Sequence, residues 1–259
     1  MNGMDEPDVV FEELMEECKY AFANQERNMQ TDIGPSQVGN PCVRAVVNQL
    51  AGIPEPLDAR GGVNFKAEVG TMVHAGLAEI FRKSPLNLPR RRYLVETNLA
   101  IGEYAGRELT GTCDLFDVMT GGVVDWKTKG KTSLLHVRRH GMSEQVRVQL
   151  QLYGLGWHRL GCRVNWVGAV FIPRDGELSE AFMSAEPFDE QAGVQALKRL
   201  DRLALAVDQY GVHEALRLFG DPVCDDQWCR WCPKPPARKF KANGDGSTDD
   251  PFDLQGDVQ

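Results

Sequence analysis

The stretch Arg107–Lys127, RELTGTCDLFDVMTGGVVDWK, decides how the chain is read. Arg107 to Val118 and Gly122 to Lys127 have the β-branched and aromatic content of strands, and Met119-Thr120-Gly121-Gly122 between them has turn chemistry. The spacing therefore predicts a β-hairpin. Asp125 and Lys127 are two residues apart, so on a strand they share a face. A turn at Met119-Thr120 sets Asp114 opposite Asp125, whereas a turn at Thr120-Gly121 sets it opposite Lys127. Under either register the three side chains are expected on one face.

That trio suits metal-dependent phosphodiester hydrolysis. Paired carboxylates hold a hard divalent cation through oxygen. Such a cation lowers the pKa of bound water and stabilises charge on phosphate. A lysine beside it can orient the water or stabilise the pentacovalent transition state. The plain alternative is a solvated ion pair on a surface hairpin.

Working outward, the 259 residues suffice for one large domain or two small ones, and 42% hydrophobic with 25% charged content is that of a globular protein. No apolar run reaches the ~18 residues needed to span a bilayer, so no membrane association is expected. The N-terminus is acidic and lacks an apolar core, unlike a signal peptide, which places the expected location in the cytoplasm. The net charge of −8 is unevenly spread. Residues 1–17 carry seven acids and no Lys or Arg, and residues 241–259 carry a net −4. Removing both ends leaves residues 18–240 at +3. Basic residues gather at Arg90-Arg91-Arg92 and through Lys127, Lys129, Lys131, Arg138 and Arg139, where they can contact a phosphate backbone or form ordinary solvated surface.

In a cytosolic chain the seven cysteines suggest ligands or buried thiols rather than disulfides. Cys224, Cys229 and Cys232 form C-x4-C-x2-C, and Cys42, following the turn-like Asn40-Pro41, is the candidate fourth ligand for a tetrahedral zinc or an iron–sulfur cubane. Cys18, Cys113 and Cys162 read as buried or half-buried thiols.

Helices are expected over Asp8–Glu26, within Ser36–Leu50, and over Asn64–Lys83, Ser143–Leu160, Asp189–Tyr210 and Val212–Phe219. Strands are expected over Tyr93–Ile101, Arg107–Val118, Gly122–Lys127, Arg163–Ile172 and Glu180–Ala185. On the Asn64–Lys83 helix, Phe65, Val69, Met72, Val73, Leu77 and Ile80 recur at helical spacing. From about Lys234 the chain becomes Pro-, Gly- and Asp-rich, a disordered acidic tail. Three parts follow: an acidic helix and linker over 1–35, a mixed α/β domain over 36–233, and the tail over 234–259. His74, read alone, is a packed or surface histidine on its helix. Gln149 and Tyr153 share a helical face and, read alone, form a surface pair.

The order of these pieces resembles one family. His74, Asp114 in G-x-x-D, Asp125-x-Lys127 and Gln149-x-x-x-Tyr153 are similar to the RecB-type branch of the PD-(D/E)xK nuclease superfamily. One cysteine upstream and three downstream resemble the iron–sulfur-stapled members, such as AddB-type domains and the CRISPR-associated Cas-four exonucleases. Ser36-x5-Cys42-x-Arg44 resembles the start of those domains. The resemblance spans about residues 36–233. It implies an α/β restriction-endonuclease-like core, a central mixed β-sheet flanked by helices with a helical cap. It also implies a 4Fe–4S cluster on Cys42, Cys224, Cys229 and Cys232 joining the two ends. His74, Asp114 and Asp125 would bind Mg²⁺ or Mn²⁺ with the Trp126 carbonyl. Lys127 would be the catalytic lysine, and Gln149 and Tyr153 would support the site and contact DNA. Asp125 stands where Glu is common, and the C-x4-C-x2-C spacing departs from some relatives, leaving zinc open as the occupant.

The activity so implied is a metal-dependent DNA exonuclease acting on single-stranded ends in recombination, repair or phage DNA processing, free-standing because no G-x4-G-K-[ST] motif is present. Two other readings follow from the same residues: a silent iron–sulfur adaptor whose acidic ends engage a helicase or recombinase, and a CRISPR adaptation nuclease.

Overall fold

The computed structural model describes residues 7–23, 33–54, 56, 65–87, 91–220, 223–224 and 229–233. Arg90, residues 1–6 and the acidic tail from residue 234 lie outside them. The elements are α1 (Pro7–Ala23), α2 (Pro35–Val38), α3 (Val43–Leu50), α4 (Phe65–Arg82), β1 (Tyr93–Tyr104), β2 (Arg107–Asp117), β3 (Gly122–Lys129), α5 (Lys131–His140), α6 (Glu144–Arg159), β4 (Trp166–Pro173), β5 (Phe182–Pro187) and α7 (Glu190–Leu218).

The five strands form one mixed sheet in the order β1-β2-β3-β4-β5, antiparallel except for the parallel β3–β4 pair. A parallel pair needs a crossover, and α5 and α6 supply it. The larger core lies between the sheet and α6, α7 and α3, with Leu99, Ile101, Leu150, Leu155 and Leu200 fully buried. A second apolar cluster on the α4 side joins Leu115, Val124 and Trp126 to Leu77 and Phe81, the Phe81 ring stacking on Trp126 at 5.3 Å. The sheet is thus covered on both faces, as the expected class requires.

Helix boundaries follow local chemistry. The Ser143 side chain caps α6 by accepting from the Val146 N–H, and Asp189 caps α7 by accepting from Gln191 and Ala192. The expected break between two C-terminal helices falls at Gly211, which has φ 76° inside α7, a conformation open to glycine.

Three expectations are corrected. On α4 the expected helix forms, but of the residues at helical spacing Phe65, Met72 and Ile80 are exposed while Leu77 packs into the second cluster, and the buried residues are Glu68 and Ala78, so the spacing marks the core face only in part. Cys18 is exposed, because α1 turns most of its side chains outward. The basic run after the hairpin forms an additional helix, α5, which packs on β4. Its apolar content, Leu134, Leu135 and Val137, is too slight to show a helical stripe.

Candidate active site

The register Leu115↔Val124, Phe116↔Val123, Asp117↔Gly122 is that of a turn centred on Met119-Thr120. Continued one step, it sets Asp114 opposite Asp125. Asp117 organises this turn. Its carboxylate accepts two bonds from Arg92 (2.9 and 3.1 Å), one from the Met119 N–H (3.1 Å) and one from the Thr120 hydroxyl (3.0 Å).

Past Leu115 the β2–β3 ladder opens. In place of another rung, the Trp126 N–H donates to Asp114 Oδ2 at 2.7 Å. Cys113 belongs to the core under α6, whereas Leu115 belongs to the cluster under α4, so β2 departs from plain alternation at Asp114. On β1, Glu96 sits at φ 50°, and the position where it would pair with Asp114 is missing between the rungs Val95↔Leu115 and Thr97↔Cys113; the register shifts again only farther along, between Ala100 and Gly102. The face-sharing expected of Asp114, Asp125 and Lys127 therefore arises through a local break in β2.

From the α4 side, His74 Nδ1 lies 3.3 Å from Asp114 Oδ1. From the α6 side, Gln149 spans the rest. Its Oε1 accepts from Lys127 Nζ at 2.9 Å, and its Nε2 donates to Asp125 Oδ1 at 3.1 Å and to the Tyr153 hydroxyl at 3.3 Å. Lys127 Nζ is also 2.7 Å from Asp125 Oδ2, an ion pair beside its bond to Gln149. The expected residues His74, Asp114, Asp125, Lys127, Gln149 and Tyr153 thus form one connected set. Gln149 and Tyr153 are buried at 6% and 5% exposure, which corrects the reading of them as a surface pair. Gly111 of the G-x-x-D stretch is explained by packing. A Cβ there would lie 2.5 Å from Pro35 Cγ and 3.2 Å from the Tyr153 ring, so glycine lets α2 and Tyr153 close on β2.

The electrostatics are those of a buried anionic site. Burial raises the Asp125 pKa, and the nearby Asp114 carboxylate adds to the rise against the pull of Lys127. Burial works against a charged His74, but Asp114 and Asp125 outweigh it and hold the imidazole above its ordinary value. Burial and the carboxylates keep the Tyr153 phenol neutral. Glu96 joins this field. Its carboxyl is raised by burial and by Asp114. Sequence spacing gives no signal for Glu96, since its placement depends on the positive φ.

Two carboxylates and an imidazole fit a hard divalent cation that tolerates one nitrogen ligand. Asp125 Oδ2 is buried and, among the described residues, is approached only by Lys127 Nζ at 2.7 Å, which leaves it an oxygen suited to ligation.

The four expected cysteines also converge. Cys42 Sγ is 3.6 Å from both Cys232 Sγ and Cys229 Sγ, and all four sulfurs lie within 4.8 Å of one another. They join the start of α3 to the segment after α7. Asn40 Oδ1 accepts from the Cys42 N–H at 2.8 Å, and Arg199 of α7 donates to the Val38 and Asn40 carbonyls at 2.7 and 2.9 Å. Burial pushes the Cys42 thiol up; at Cys229 backbone N–H groups and neighbouring thiols overcome burial and lower it. An all-thiol set suits a soft metal. Separations of 3.6 Å match sulfurs around one tetrahedral ion at about 2.3 Å each. A cubane, with each thiolate on a separate iron, needs them farther apart.

No family model matches the chain, and no curated protein matches it in sequence. Among solved structures, the chain is similar to an alkaline exonuclease from Laribacter hongkongensis, with 14% identity, a TM-score of 0.44, and coverage of 80% of this chain and 98% of that one. It is similar to SSO0001 at 18% identity and a TM-score of 0.47, covering 90% and 98%. A phage-related exonuclease from Haemophilus somnus follows at 11% identity and a TM-score of 0.34, covering 73% and 96%. At these values the likeness concerns the course of the backbone alone.

Proposed function

We propose that the chain is a divalent-metal-dependent nuclease that hydrolyses DNA phosphodiester bonds, working as an exonuclease on single-stranded ends. The observation that carries this reading is the placement of Lys127 Nζ, held by Gln149 Oε1 and set against the buried Asp125 carboxylate beside Asp114 and His74. A surface ion pair has no need of a buried second carboxylate or of an amide locking both charges. His74, Asp114 and Asp125 would hold Mg²⁺ or Mn²⁺ with the Trp126 carbonyl. Such an ion supplies Lewis acidity and a more acidic water.

The remaining roles belong to the chain. Lys127 presents a fixed positive charge where the phosphate gains negative charge in the transition state. Gln149 sets the distance between Lys127 and Asp125 by bonding both, and Tyr153 fixes the amide orientation of Gln149. Trp126 N–H holds one oxygen of Asp114, leaving the other toward His74. Cys42, Cys224, Cys229 and Cys232 form a structural metal centre. The sulfur separations fit zinc directly, and the motif resemblance implies 4Fe–4S. An absorption spectrum of anaerobically purified protein separates the two.

The test is cleavage of end-labelled single-stranded DNA in Mg²⁺, Mn²⁺ and EDTA, by wild type and Asp125→Ala. Metal-dependent release of label by wild type alone is expected. Cleavage by Asp125→Ala at the wild-type rate removes the site assignment, and binding without cleavage under any metal favours the adaptor reading.

A further inference from the structure

Beyond the carboxylate site, β3 continues as a row of cations. Asp125, Lys127 and Lys129 alternate onto one face of the strand, each about 6.6 Å from the last. Lys127 is matched to Asp125, but among the described residues Lys129 has no such partner. The charges acting on it are Lys127 and Arg174, both positive.

Arg174 arrives from the parallel neighbour. It directly follows the last β4 residue, and its N–H donates to the Lys129 carbonyl at 2.8 Å, extending the ladder by one rung. Its guanidinium lies over Gly130, where a Cβ would come within 2.8 Å of Nη2. Asp175 Oδ1 approaches the same point at 3.6 Å, yet no ion pair joins Asp175 to Arg174 among the described residues. Gly130 is the N-cap of α5, which has no side-chain cap and no acid in its first turn. Residues 127–140 contain five Lys and Arg and no Asp or Glu.

Gathering like charges that no ion pair neutralises among the described residues is unfavourable, the more so where one is half-buried. Here burial and the repulsion from Lys127 and Arg174 hold the Lys129 ammonium below its ordinary value. An anion bound between Lys129 and Arg174 removes that penalty. The subsite lies one strand step from Lys127, a spacing suited to successive phosphates of an extended nucleic-acid strand.

We propose that Lys129 and Arg174 form a phosphate subsite that grips the backbone phosphate next to the scissile one. This rests on the nuclease reading and adds to it a track for the strand, running from the metal-binding carboxylates along β3 toward α5. The contact is to phosphate, so it holds any base sequence equally.

The test measures binding of a fluorescent oligo(dT) strand in EDTA across a salt series, and KM and kcat for its cleavage in Mg²⁺. The proteins are wild type, Lys129→Gln, Arg174→Gln and the charge-retaining Lys129→Arg. Each neutral variant is expected to bind about tenfold more weakly, to raise KM rather than lower kcat, and to flatten the salt slope by about 0.7. Lys129→Arg is expected to keep most of the binding. Arg174 is exposed, so its variant tests the idea even if Lys129→Gln is poorly folded. Wild-type salt slopes and KM in a folded Arg174→Gln overturn the subsite while leaving the nuclease intact. A wild type that binds no strand and cleaves none overturns both.

Discussion

Replacing Lys127 by Met separates the two tasks assigned to this side chain, because Met keeps the length and removes the charge. Among the described residues Lys127 Nζ is the only cation within ion-pair distance of Asp125, a residue 2% exposed that stands beside a second carboxylate, Asp114. Removing one partner of a fully buried pair costs ~3–5 kcal/mol. The Lys127 side chain is 22% exposed, so water reaches it and the loss is smaller, about 2–3 kcal/mol. For a chain of this size that is about 4–12 °C in Tm, measured in EDTA by differential scanning calorimetry. Mg²⁺ offers the carboxylates another counter-charge and is expected to return part of the lost stability by mass action. Catalysis has no such substitute. Loss of a preorganised charge at the phosphate is expected to lower kcat by about 10²–10³ with little change in KM. The assay is steady-state cleavage of end-labelled single-stranded DNA. A Lys127→Met protein with wild-type kcat refutes the role of the lysine. An unchanged Tm in EDTA refutes the claim that it neutralises Asp125.

Three other perturbations test the surroundings of the site. Cys229→Ala is expected to abolish stoichiometric metal at the cysteine centre and lower the unfolding temperature together with DNA cleavage, checked by elemental analysis beside calorimetry; full metal content would remove Cys229 from the ligand set. Gly39→Ala places a Cβ 2.7 Å from Val148 Cβ and 2.9 Å from the Gln145 backbone of α6, so urea titration should show a loss of about 1–3 kcal/mol, and no loss would mean that the approach is looser than described. Asp117 is opposed by burial, but Arg92, Thr120 and the Met119 N–H hold its carboxyl below the ordinary range. A depressed carboxyl stabilises the fold above its unfolded pKa of about 3.9 and loses that contribution as pH falls through the folded value. Asp117→Asn should therefore be less stable than wild type at neutral pH, with the gap narrowing in acid; a gap constant with pH would show that the charge of Asp117 contributes nothing.

Much of this architecture was legible because its residues follow short-range rules. Asp125 and Lys127 sit on one strand face by simple alternation. Ser143 and Gly211 mark helix ends by capping and by φ. The four cysteines share a residue type whose usual reason for clustering is a metal. What escaped depends on tertiary context. Gln149 and Tyr153, legible through the order of motifs, look like surface polar residues when read alone, until β3 supplies the Lys127 and Asp125 charges for the two ends of the amide. The outward apolar residues of α4 mislead because that helix covers a polar site, so its inward face carries His74 and Glu68. Lys131–His140 has too few apolar positions to announce a helix, although its N-terminus borders the cationic row.

Glu96 shows why the site occurs at this point of the sheet. A regular β1-β2-β3 ladder would spend the backbone groups of β2 on its neighbours and direct Asp114 to one face only. Instead Glu96 takes φ 50°, a conformation that costs a non-glycine residue roughly 1–2 kcal/mol, and its rung with Asp114 is lost. On the other side the Trp126 N–H bonds the Asp114 carboxylate in place of a backbone carbonyl. Both irregularities meet at one residue. Together they release Asp114 from the alternation that buries Cys113 under α6, and let it reach His74 on α4 while remaining beside Asp125. The intact rungs on either side, Val95↔Leu115 and Thr97↔Cys113, confine the distortion to a single position. The strain is thereby tied to a geometry that a flat sheet cannot offer, in which side chains from both helical layers converge on one pair of carboxylates.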